Sequence, residues 1–243
     1  MERHKTYPIV VNKSFFNDEG LKINNYPKLL STLGYEHLKD TDQGVNVILK
    51  DKYAWAIVVM KLHILTPIKS PLTLTGKTWY SGRRGPYYRR EYELSYNGKS
   101  VLTGASYSIL LNVLDRSVFR QKTLPFNPLV ETNIHLTTLT TSFRDDFNYT
   151  FIKEDTVKDE HIDALGHTNH LNYVKFIYKA LSKEDRLELN TYNTLELFFQ
   201  KEMLKGDVFT INKGYKDDFL LFLIYNKTRA ENAFILKVSK EPL

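Results

Sequence analysis

In the stretch Asp163-Ala164-Leu165-Gly166-His167-Thr168-Asn169-His170, a carboxylate, an imidazole and an amide crowd around one glycine. An apolar pattern of helical spacing follows at Leu171, Val174, Ile177, Tyr178 and Leu181. A helix start offers unpaired amide donors and partial positive charge, which favour anions and polarised carbonyls. Acid, base and donor groups gathered there suit the hydrolysis of an activated carbonyl. The same residues have plainer uses: Asp is an ordinary N-cap and Gly an ordinary turn residue. Asp163, His167 and His170 could also ligate a metal, but no His-Glu-x-x-His pattern is present and a third ligand would have to come from elsewhere. We expect no metal and no cofactor.

The elements around this stretch recur. Residues 7–16 read as a strand and 17–20 as a turn. Residues 21–39 read as a helix with an apolar stripe at Leu29, Leu30, Leu33 and Leu38, and with Pro27 tolerable only in its first turn. Strands are predicted at 53–65, 72–80, 87–96 and 100–113. The second pass opens with a strand at 149–156, continues through the 163–167 turn and its helix, and predicts strands at 195–203, 208–215, 219–225 and 233–238. Lys69-Ser70-Pro71-Leu72-Thr73-Leu74 resembles Lys205-Gly206-Asp207-Val208-Phe209-Thr210, so the repeat is visible in the order of elements and faintly in residues.

A strand, a long helix and then four antiparallel strands is α+β logic, with a sheet wrapped around one helix. Residues 55–65 are almost wholly apolar, as a central strand buried on both faces requires. Two such units, 1–120 and 146–243, form a pseudo-dimer joined by a linker at 121–145, which holds Pro125, Pro128 and a polar tract at 137–142. Where the second unit has Asp163, Gly166, His167 and Asn169, the first has Asn17, Gly20, Leu21 and Ile23. Only the glycine is kept. Capping would be needed in both copies and a reaction in one, so the asymmetry favours chemistry.

Glu202, in Gln200-Lys201-Glu202-Met203, falls near the end of a predicted strand that an antiparallel sheet could return to the helix start. Between Lys201 and Lys205 it could equally be a solvated charge. The segment Ser81-Gly82-Arg83-Arg84-Gly85-Pro86-Tyr87-Tyr88-Arg89-Arg90 reads as a basic hairpin, or as a docking patch for phosphate or an acidic protein. Gly104-Ala105-Ser106-Tyr107-Ser108 lacks the Gly-x-Ser-x-Gly elbow of serine hydrolases.

Composition narrows the rest. The chain has 243 residues, 42% hydrophobic and 26% charged, enough for a sizeable core. It has no cysteine, which excludes a thiol nucleophile, thiolate metal sites and disulfides, and fits a reducing compartment. The start of the chain shows no apolar leader and no run long enough to span a bilayer, so a cytoplasmic protein without membrane insertion is expected. A net charge of +6 suits an acidic partner, and its dispersed basic residues do not call for nucleic acid.

The stretch from His161 to Tyr173 resembles the Asp-x-Asn-x-His-Val-Asn-Asn signature of acyl-ACP thioesterases, and residues 55–92, with Thr78-Trp79 and Arg89-Arg90-Glu91-Tyr92, resemble their N-terminal half. The resemblance spans nearly the whole chain. It implies two tandem hot-dog units, the first holding the acyl chain without catalysis and the second releasing free fatty acid. It places catalytic roles on Asp163, His167 and Glu202, with the phosphopantetheine-linked acyl chain of acyl carrier protein as substrate. Acyl-CoA hydrolysis and non-catalytic acyl binding are the alternatives, and a homodimer or a monomer is compatible. Two positions depart from the pattern. The signature Asn is Leu165, so carbonyl orientation would pass to Asn169 or to backbone donors near Gly166 and His167. Met203 stands where plant relatives have Cys, which leaves Glu202 as the base.

Overall fold

The computed structural model describes residues 5–41, 43–50, 52–124, 132–143, 147–216 and 219–241. The leucine stripe anchors the first unit. In α1 (Asn25–Lys39), Leu29, Leu30 and Leu33 are buried, and Pro27 occupies the first turn, where a missing N–H costs nothing. The helix begins later than residue 21 because β2 (Phe16–Asn17) and β3 (Gly20–Leu21) pair as a short hairpin that delivers Leu21 and Ile23 to the core. It lies close on the sheet: a Cβ on Gly104 would stand 2.6 Å from the Lys61 carbonyl oxygen and 2.9 Å from Leu30.

The remaining elements of this unit are β1 (Thr6–Val11), α2 (Val45–Lys50), β4 (Tyr53–Ile64), β5 (Leu72–Arg84), β6 (Tyr87–Tyr96) and β7 (Lys99–Asn112). The second unit has β8 (Thr150–Thr156), α3 (His170–Ala180), α4 (Lys183–Leu189), β9 (Thr194–Phe199), β10 (Val208–Lys216), β11 (Phe219–Asn226) and β12 (Glu231–Ser239). The short helices α2 and α4 stand where the sequence predicts none. The latter carries a capping box, with Asp185 N–H donating to Ser182 Oγ at 3.1 Å.

Among the described residues ten long strands join one antiparallel sheet in the order β1-β5-β6-β7-β4-β9-β12-β11-β10-β8. Read inward from each edge, the order is the same in both units: the strand before the helix, then the second, third, fourth and first strands after it. The chain is α+β, two hot-dog units in tandem. They meet where β4 pairs with β9, from Val59 opposite Phe198 to His63 opposite Thr194, so the apolar strand 55–65 is central. One apolar core contains side chains of both α1 and α3.

Between the units, residues 132–143 run along the opposite face of the sheet. The Ile134 carbonyl accepts from Trp79 Nε1 at 2.9 Å, the Leu136 N–H donates to Glu91 at 3.0 Å, and Phe143 stacks on Phe198 at 5.4 Å. Beneath them Glu91 is fully buried, paired with Arg89 and accepting from Ser81 Oγ at 2.7 Å. Pro125 and Pro128 lie outside the described residues. Among the described residues no helix is long and apolar enough to cross a membrane.

Candidate active site

The loop at 162–168 is organised by one carboxylate. Asp163 Oδ1 accepts from the amides of Leu165 at 2.8 Å and His167 at 3.3 Å, while the Asp163 carbonyl accepts from Gly166 N–H at 3.0 Å. Gly166 makes this curl possible, with φ +80°, a region that side-chain-bearing residues enter at a cost. Asp163 N–H then returns to the His167 carbonyl at 2.8 Å. The amides expected to face a carbonyl therefore point inward to Asp163, and no oxyanion site forms from Gly166 and His167 N–H.

Thr168 joins this loop to the one after β9. Its N–H and its hydroxyl both donate to the Met203 carbonyl, at 2.8 and 2.9 Å, and Met203 N–H donates to Tyr173 Oη at 3.2 Å. Burial raises the Tyr173 pKa, so the phenol stays protonated. Strand β9 stops at Phe199, short of the 195–203 expectation, because Gln200 and Lys201 N–H both converge on the Ala233 carbonyl and the ladder with β12 ends. Glu202 is thus a loop residue, fixed by the buried Met203 that follows it.

These ties bring His167 Nε2 to 3.5 Å from Glu202 Oε2. A third group joins them that sequence reasoning missed. Arg116, 86 residues from Glu202 along the chain, pairs through Nη2 with Glu202 Oε2 and donates through Nη1 to His167 Nδ1 at 3.3 Å. It sits in the turn after β7 at φ +63°, held by its N–H to the Asn112 carbonyl at 2.9 Å and by Ser117, which donates from N–H and hydroxyl to Asp115 Oδ1. No spacing rule connects it with the 163–170 stretch.

Asn169 has another place. Its Oδ1 caps α3 by accepting from Leu171 N–H at 3.0 Å, and it is not on the wall of the cavity described below. His170 Nε2 meets Ser31 Oγ of α1 at 2.9 Å, and burial lowers the pKa of this imidazole to about 4, against the pull of Asp163. It is neutral at physiological pH. Among the described residues no cluster of three or more His, Asp or Glu is disposed to hold a metal.

Asp163, Leu165, His167 and Glu202 line a cavity of about 1260 Å³, whose wall also takes Leu38, Trp55, Ile57, Tyr92 and Leu111 from the first unit. That exceeds the roughly 300–1,000 Å³ of ordinary small-molecule pockets. Arg90 is in the same wall and donates to His37 Nδ1 at 2.9 Å. A smaller depression, lined by Arg83, Gly85, Pro86, Arg120 and Lys122, shares Arg83 and Lys122 with the main cavity. The arginine segment is a hairpin with Arg83 paired to Tyr88 and Gly85-Pro86 at its tip. Ser106 is buried, bonded to Tyr92 Oη at 2.9 Å.

No protein-family profile and no curated protein matches the sequence. Solved structures do. The chain is similar to an acyl-ACP thioesterase from Bacteroides thetaiotaomicron, with TM-score 0.78 and 17% identity over 98% of this chain and 97% of that one. It is also similar to a 12:0-ACP thioesterase from Umbellularia californica, with TM-score 0.74 and 12% identity over 98% and 97%. At these identities what is shared is the fold. From end to end, the chain has the tandem hot-dog architecture of the acyl-ACP thioesterases.

Proposed function

We propose that the protein is a thioester hydrolase that releases free fatty acid from an acyl chain carried on phosphopantetheine. The observation that carries this reading is the meeting of Glu202 and His167 at 3.5 Å on the wall of a cavity built from both units. The first unit, 1–120, holds the acyl chain among its apolar side chains; 121–145 links it to the catalytic unit, 146–243. Glu202 takes a proton from a water whose oxygen attacks the thioester carbonyl carbon. The carbon–sulfur bond breaks, the thiol leaves with a proton, and the acid is released. Asp163 holds the loop that carries His167, and Asn169 contributes through the α3 cap.

Acyl carrier protein is the carrier we favour over coenzyme A. The basic depression of Arg83, Arg120 and Lys122 beside the cavity and the net charge of +6 both suit an acidic protein. Turnover of matched acyl-ACP and acyl-CoA should fall more steeply with salt for the protein carrier, since charged docking is screened. Equal salt dependence would favour coenzyme A. Leu165, which cannot donate to a carbonyl, favours a second reading as an acyl-binding protein.

Thiol release from a long-chain acyl-ACP decides between them. Glu202→Gln and His167→Ala are expected to lower kcat by about 10²- to 10⁴-fold, the scale of general acid–base catalysis. Near-native rates in both variants sink the hydrolase assignment; bound lipid without thiol release supports the binding protein.

A further inference from the structure

The contacts of Arg116 assign proton positions. A guanidinium has only donors and stays protonated throughout the physiological range, so the His167 Nδ1 facing it must accept. The ring proton then belongs on Nε2, the nitrogen turned to Glu202. The same guanidinium pairs with Glu202 Oε2 and so orients the carboxylate.

We infer that Arg116 is a positioning residue through which the first unit orders the second unit's site: it orients the Glu202 carboxylate and holds His167 in the tautomer that donates from Nε2. The inference rests on the thioester-hydrolase reading and gives it a part otherwise missing. Leu165 cannot supply the signature amide, Asn169 is committed to its helix, and the loop amides face Asp163. That leaves the His167 Nε2–H as the loop's donor for the thioester carbonyl. The backbone is consistent with a side chain needed at this place, since φ +63° is a conformation that glycine would adopt more cheaply.

The test has two independent readouts on the full chain. The first is imidazole nitrogen NMR of the neutral His167 ring in the wild-type protein and in Arg116→Ala. The expected result is a single Nε2–H tautomer in the wild type and a population of the Nδ1–H tautomer in the variant, since the donor that keeps Nδ1 an acceptor is gone. The second is the split between kcat and KM. In the variant kcat falls at least about tenfold, as when an outer hydrogen-bonding partner is lost. KM changes little.

Arg116→Gly keeps the turn, because glycine suits that φ, and added guanidinium ion is expected to restore part of its activity. An unchanged His167 tautomer in Arg116→Ala overturns the inference whether or not the wild type is active. An Arg116-dependent tautomer in a protein that releases no thiol upholds the contact and overturns the hydrolase reading alone.

Discussion

The turns before α1 and before α3 occupy equivalent places in the repeat and do opposite work. In the first unit Leu21 and Ile23 are buried, and Glu19 reaches across to Arg186 at 2.9 Å while Asn17 donates to Tyr178 Oη at 2.7 Å. That turn fastens one unit to the other. In the second unit the same position carries His167 to a cavity wall, with Asp163 spent on shaping the loop. Both turns keep their glycine at positive φ, +111° at Gly20 and +80° at Gly166. A glycine at positive φ is common to the copies; the side chains make one turn a joint between units and put the other on a cavity wall.

Exchanging the residues breaks the comparison most directly. His167→Leu, which copies Leu21, is expected to cost about 10²- to 10⁴-fold in thioester hydrolysis with the unfolding midpoint nearly unchanged; equal loss of stability would make His167 structural. Leu21→Ala is expected to do the reverse, lowering stability by about 2–5 kcal/mol, as large-to-small core changes do, measurable by denaturant unfolding.

Acidity separates the two turns more finely. His170 has its pKa lowered in the fold, to about 4 from 6.5. As pH falls below 6.5 the unfolded chain takes the proton first, so stability is lost between about pH 6.5 and 4, by about 3 kcal/mol at most. His170→Gln, which can still bond Ser31, should flatten that window. Glu19 is also lowered, by Arg186, so its contribution is present above pH 4.5 and lost as pH falls through the folded value. Glu19→Gln should flatten only this lower range, a smaller effect. Urea titrations of both variants across pH check the order.

Order of elements was the most legible property of the sequence, because hydrophobic spacing survives divergence that erases residue identity. The repeated strand–helix–sheet programme appears in the strand order, and the apolar run at 55–65 in the central β4. Element ends were less legible. The 21–39 helix loses its first turn to the β2–β3 pair, and the 195–203 strand ends where Ala233 takes two amides. Within the candidate site, Asp163 and His167 share one loop and could be read together. Glu202 was placed on a strand from spacing and stands on a loop. Arg116 could not be found at all, since local patterns report neighbours in sequence and its partners lie across the unit boundary. The inward amides of 165–167 were hidden for a related reason: a capping motif and an anion site share the same letters.

The pairing of β4 with β9 has a thermodynamic consequence. Two separate hot-dog chains meeting along such a seam would pay for association at every dilution, and their folded fraction would depend on protein concentration. Here both strands belong to one chain, so the seam closes at an effective concentration fixed by the connecting segment. That contribution to stability does not dilute away. Freed from assembling two identical copies, each unit can carry residues the other lacks, as Leu21 and His167 do at matching places.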